Sequence, residues 1–264
     1  MAIVVWLLLA EGLYLRALRV LRSRGVAVGP WQIAAWHAGI ALQAIGLLTP
    51  IDSLGEDGLT FHMVQHVLIA DLAAPLLLMG MRNPVLAFLL PRSVLVPLAR
   101  ARRFRGFFRT LRRPLVALAV FALVLYGWHF SFAFEAAVRN PFVHAAQHAS
   151  FVGIGILVWW AALEPKRRRL RGELWKIGHI LGARFLGMFL GMSFVIIRQP
   201  VYTGVYGTGE RALGLAPVAD QQVAGGIMVF LDIVIMVCAL AFFFQRAGRE
   251  HDLDEQRARS AALT

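Results

Sequence analysis

Apolar residues in this chain come in blocks of about twenty, long enough at a 1.5 Å rise per residue to cross the ~30 Å hydrocarbon core of a bilayer as α-helices. The blocks cover residues 2–21, 31–50, 59–81, 114–134, 142–163, 177–198 and 219–244. This pattern predicts an all-α membrane protein, a polytopic bundle of seven transmembrane helices. The separators differ in kind: 82–113 is long, rich in arginine and closed by Pro114, whereas those near 51–58, 132–141 and 199–218 are short or carry Gly and Pro. Residues 1–245 thus read as one transmembrane domain, and 246–264 as a charged tail expected to be flexible.

Composition agrees, since 59% of the 264 residues are hydrophobic, too many for a soluble domain with a polar surface. The net charge of +12 would suit a nucleic-acid partner if it formed a basic stripe, but the arginines stand between apolar blocks. They report orientation instead. Of the 27 Lys and Arg residues, 23 fall at the end of block one or just after it, between blocks three and four, between five and six, or in the tail. Arg139, Arg198 and Arg211 lie on the opposite side and Arg184 lies inside a block. By the positive-inside rule the N-terminus is expected outside and the C-terminus in the cytoplasm. The first block has no basic residue ahead of it, carries Arg16, Arg19, Arg22 and Arg24 behind it and lacks a small-x-small site, so it reads as a retained helix rather than a cleaved signal.

Two chemistries are excluded early. The single cysteine, Cys238, lies in an apolar block and has no partner for a C-x-x-C relay. Both lysines, Lys166 and Lys176, fall in a loop, which removes an intramembrane Schiff base of the retinal type.

Histidine carries the remaining signal. H-x-x-Q-H occurs twice, at His62/Gln65/His66 and His144/Gln147/His148, at the start of blocks three and five. Spacing of four puts two imidazoles one turn apart on one helical face, near enough to share a metal ion. Block four ends with His129, and block seven opens with Asp220, Gln221 and Gln222, all at the same expected depth on the outer side. A lone histidine at such a depth is ordinarily a hydrated polar residue; convergence of His62, His66, His129, His144, His148 and Asp220 points to a metal site, because ionisable groups near lipid need partners. Gln65, Gln147, Gln221 and Gln222 are expected behind the ligands, fixing imidazole tautomers. Imidazole with carboxylate suits Cu(II) or Zn(II), and imidazole with thioether, from Met63 or Met228, suits Cu(I). The repeated motif also raises a parallel repeat of blocks two–three and four–five, although little else in the two halves aligns.

A second polar set lies deeper. Asp71 and Asp232 fall about 15 and 20 Å from the inner ends of their blocks, and Arg184 about 10 Å, which puts all three in the membrane interior. His37 and His179 lie in the same inner half, and Glu11 lies within block one. This inner cluster reads either as a structural ion pair with hydrogen bonds or as a polar path below the outer site. Pro75 denies the Asp71 carbonyl its helical donor, which suits a kink or a cavity.

"HMVQHVL…APLLLMG" (His62–Gly80), "GWHFSFAFEAA" with "HAAQH" and "WW" (Gly127–Trp160), "DQQVAGGIM" (Asp220–Met228) and "GLLTPIDSLGE" (Gly46–Glu56) together resemble the multi-spanning cytochrome c oxidase assembly factors of the CtaG family. That resemblance covers nearly the whole chain. It implies a non-enzymatic protein of the bacterial inner membrane, needed to form caa-type oxidase at the stage of copper supply. Its partners would be oxidase subunits, the lipid bilayer and an extracytoplasmic copper donor. The corresponding positions are His62, Met63, Gln65, His66, Trp128, His129, His144, His148, Asp220 and Gln221. The chain departs from the family pattern at Met228–Val229, and at Asp71 and Asp232. Competing readings are a di-iron membrane oxygenase, a b-haem protein with axial imidazoles, and an assembly chaperone that binds no metal.

Overall fold

In the computed structural model, residues 2–163 and 174–262 are described; the basic run Lys166–Arg171 used for orientation lies outside them. The described residues are mostly helical, with no strand among them. The helices are α1 (Ala2–Ser23), α2 (Pro30–Leu48), α3 (Pro50–Asp57), α4 (Leu59–Gly80), α5 (Arg92–Arg100), α6 (Arg102–Leu111), α7 (Pro114–His129), α8 (Ser131–Arg139), α9 (Pro141–Leu163), α10 (Leu174–Ile196) and α11 (Pro217–Ala262). Five of them open on proline, which needs no N–H at the first helical position and has φ already set for the helix.

Four helices are long and apolar enough to cross a membrane: α4, α9, α10 and α11 up to Arg249. Two bent pairs, α2 with α3 (47°) and α7 with α8 (71°), raise that number to six if each pair is one span. α1 has the length but carries Glu11, Arg16 and Arg19. Two of them are partnered within the protein, where Trp36 Nε1 donates to Glu11 at 2.8 Å and Arg16 donates to the Phe88 carbonyl at 3.0 Å, whereas Arg19 is exposed. Outward faces of the long helices are apolar, with Leu123 74%, Phe189 71% and Phe230 65% exposed. A soluble protein would bury such residues; here they define a multi-pass membrane protein with a lipid-facing coat.

Packing is organised around α4, which runs against α2, α9 and the first turns of α11; α7 lies on α9 and α10, and α10 lies along α11. Close approach depends on small residues, as in membrane bundles generally. A Cβ added at Gly155 would meet the Ala70 carbonyl oxygen at 2.5 Å, and one at Gly225 would meet the Phe194 Cβ at 2.9 Å. The α11 helix continues through the charged segment to Ala262, where Arg259 pairs with Glu255 at 2.7 Å one turn away.

α4 is not uniformly α-helical. Between Val67 and Leu72 it takes a π turn, closed by the Ala73 N–H on the Leu68 carbonyl five residues back. Pro75 supplies the reason: it has no N–H for the Asp71 carbonyl, so the regular ladder stops there. Gln43 from α2, fully buried, donates to the Ile69 carbonyl inside the turn at 2.8 Å.

Candidate metal centre

α4 begins at Leu59 and α9 at Pro141, so His62 and His144 are each the fourth residue of their helix, and His66 and His148 each the eighth. Both helix starts are capped. Asn140 Oδ1 accepts from the N–H groups of Phe142 (2.9 Å) and Val143 (3.3 Å). The α4 start is capped from a distant element: Asp220 Oδ2 accepts from Leu59 N–H at 2.7 Å, and Oδ1 from Thr60 N–H at 3.0 Å. Matched starts on two adjacent helices put the two histidine pairs at one level.

Four imidazoles meet there. Ring centroids are 4.4 Å apart for His62–His66, 4.1 Å for His144–His148, 5.3 Å for His62–His144 and 5.3 Å for His66–His148. One nitrogen each from His62, His66 and His144 lies within 4.8 Å of the other two. Chelation at 2.0–2.1 Å per bond needs nitrogens about 3–4 Å apart, so modest side-chain rotation closes the site. Both nitrogens of His62 and His66, and Nε2 of His144 and His148, are buried without a hydrogen-bond partner in the protein. Buried polar atoms are ordinarily paired, which makes this concentration the chemical signature of the site.

His129 stands beside the four. Its ring lies 6.5 Å from Phe134 and 6.1 Å from Phe151, the rings that flank His62 and His66 at 4.6 and 4.5 Å. Nδ1–H donates to the Leu125 carbonyl at 2.6 Å, which leaves Nε2 as a lone-pair donor. Asp220, expected among the ligands, has both carboxylate oxygens engaged in the α4 cap. The glutamines also differ from expectation. Gln65 donates to the Gly46 carbonyl (2.9 Å) and Asp52 Oδ1 (2.6 Å). Gln221 and Gln222 tie the end of α10 to α11 through the carbonyls of Phe194, Ile197 and Val195. Gln147 alone keeps a buried amide with neither atom bonded to the protein.

Aromatic rings line the pocket. Tyr202 stacks on Phe134 at 3.9 Å and donates its hydroxyl to the His129 carbonyl at 2.8 Å; Tyr206 donates to the Gly55 carbonyl at 2.9 Å. Burial pushes both phenols upward, with Glu135 adding to the shift for Tyr202 and Asp220 for Tyr206, so both remain neutral donors. These residues, with Asp52, lie in loops or bent segments and carried no metal-ligand spacing in the sequence.

The inner set divides. Arg184 Nη1 donates to Asp71 Oδ1 (2.5 Å) and to Asp232 Oδ1 (2.8 Å), which joins α10, α4 and α11 in one triad, with Arg184 and Asp232 buried and Asp71 half-buried. His37 and His179 belong elsewhere: His37 faces Glu11 at 3.4 Å, and His179 Nε2 bonds the Val158 carbonyl at 3.0 Å. They point to other sides of the bundle from the triad.

Fold and site define a helical multi-pass membrane protein with a buried polyimidazole cluster. Residues 12–250 match the family described as cytochrome c oxidase caa3 assembly factor (Caa3_CtaG), and the chain belongs to that family. It is also 24% identical over 259 residues to uncharacterized protein Mb0105 of Mycobacterium bovis and, to the same extent, to uncharacterized protein MT0111 of Mycobacterium tuberculosis. The alignment takes in 92% of this chain but only 38% of those relatives, so the chain spans well under half their length. No solved structure matches significantly.

Proposed function

We propose that this protein is a non-enzymatic assembly factor of the bacterial inner membrane that holds copper at the His62/His66/His144/His148 cluster and passes it to a cytochrome c oxidase subunit. In this reading α1 is a seventh crossing, the N-terminus and the histidine end face outside, and the C-terminus is cytoplasmic. An extracytoplasmic copper donor loads the cluster and an oxidase subunit unloads it. Copper here is cargo, so the site must release as well as bind.

The observation that carries the reading is the group of three imidazole nitrogens within 4.8 Å of one another, with no protein hydrogen bond to satisfy them. An imidazole set fits a first-row metal, and thioethers nearby favour the cuprous form. The adjoining cavity is about 50 Å³, of ion size and far below the ~300 Å³ at which organic-ligand pockets begin, which disfavours haem. The test is copper per protein, in detergent, for wild type and His62→Ala/His144→Ala. A lower stoichiometry in the variant is expected, and an unchanged one eliminates the cluster as a binding site.

A further inference from the structure

The cavity of about 50 Å³ that adjoins the imidazoles extends to the buried charges below them. His66 and His129 line it together with Asp71, Arg184 and Asp232, and Met63 and Met228 are among its walls. The π turn explains why one space touches both sets. In a π turn the hydrogen-bonding step is five residues, so His66 and Asp71, five apart, come onto one face of α4; a regular helix would turn Asp71 away. Gly187 leaves room for the Asp232 carboxylate, since a side chain there would overlap it.

Two properties of this space point to a ligand. The first is charge: with both ionised, two carboxylates against one guanidinium carry a net negative charge at the wall of the cavity, where Arg184 and Asp232 are 2% and 6% exposed and the Asp71 side chain is 28% exposed. Burial of an uncompensated charge is costly, and one positive charge of a cation removes the imbalance. The second is the donor set. His66 is buried with neither nitrogen bonded to the protein, His129 offers Nε2, also buried and unbonded, and the two methionines add thioethers. Two soft sulfurs, imidazole and one net negative charge together describe a site for a soft monovalent ion.

We propose that this cavity is a second, inner site for cuprous copper, with ligands drawn from Met63, His66, His129 and Met228 and countercharge from Asp71 and Asp232. The proposal rests on copper being the cargo of the histidine cluster. His66 can serve either ligand set but only one at a time, its neutral ring having one lone pair. With both sites filled, one ion rests on His62, His144 and His148 and the other on Met63, His129 and Met228, with His66 on either. An ion passes between them by ligand exchange at His66, Cu(I) throughout.

The test is an anaerobic titration of the purified full-length protein with Cu(I) against a chromogenic Cu(I) chelator, combined with X-ray absorption at the copper edge. Cys238→Ser is carried in every protein so that any sulfur at copper is thioether. Wild type is expected to bind two equivalents, with sulfur scatterers at about 2.3 Å, a typical thiolate–metal length. Met63→Leu/Met228→Leu, close in volume, should keep one equivalent and lose the sulfur signal; the retained equivalent shows that the bundle is intact. Asp232→Asn should weaken the inner equivalent at least tenfold. Two equivalents bound by the double methionine variant, or copper without sulfur in wild type, overturns the inner site, as does a single equivalent in wild type. His62→Ala/His144→Ala separates the two readings: it should lose the cluster ion and keep the sulfur-ligated one. Retention of both equivalents there sinks the cluster reading alone.

Discussion

Asp220 Oδ2 accepts the backbone N–H of Leu59 at 2.7 Å, across 161 positions of sequence. A helix start normally finds its cap in the preceding turn, where Gly58 here has no side chain to offer. α11 therefore supplies the cap for the helix that carries His62 and His66, and α4 is registered against α11 by the same contact that satisfies its first N–H groups.

Capping and ligation by Asp220 make opposite predictions. Asp220→Ala leaves two buried N–H groups unsatisfied and should cost about 1–3 kcal/mol. A lower melting temperature in detergent, with copper stoichiometry at saturation retained, is the expected result. Loss of copper at unchanged melting temperature would instead make Asp220 a ligand.

Copper should stabilise the fold in proportion to its occupancy. At a free concentration of 100 times the dissociation constant, binding adds about 2.7 kcal/mol for one site. A melting temperature that rises with added Cu(I) is expected for wild type, with a smaller rise for His148→Ala. An equal shift in that variant would remove His148 from the ligand set.

Arg184 holds three helices through one guanidinium. Arg184→Met strands Asp71 and Asp232 without a partner, a change expected to cost about 3–5 kcal/mol. The apolar triple variant Asp71→Leu/Arg184→Met/Asp232→Leu should recover much of that loss. Yields of monodisperse protein and melting curves for the two variants measure both effects; equal destabilisation in both would mean that the triad matters for something other than charge balance.

The fit between α9 and the π turn leaves no space for a side chain at Gly155. Gly155→Ala would bring a methyl group 2.5 Å from the Ala70 carbonyl oxygen and 3.0 Å from Ala74 Cβ. Such overpacking typically costs about 1–3 kcal/mol. Because the strain falls between the helices of His66 and His148, weaker copper binding should accompany a lower melting temperature. Gly153→Ala, with nothing within 4 Å, is the control and should match wild type.

The sequence by itself determined that the chain is helical and apolar in long blocks, and that two histidine pairs stand at i, i+4. Each follows from local quantities: the length of an apolar run, the rise per residue and the helical period. Depth fails to give direction around the bundle, and that was decided by tertiary packing. His37 and His179 share the inner half with Asp71 but turn toward Glu11 and Val158. Arg184, expected to pair with Asp71 or Asp232, pairs with both. Asp220, which opens block seven, caps the bare start of α4, where the N–H groups of Leu59 and Thr60 have no side chain of Gly58 to meet. A residue's azimuth depends on how neighbouring helices dock, through contacts such as Gly155 on Ala70 and the π turn forced by Pro75, and only the folded bundle specifies those.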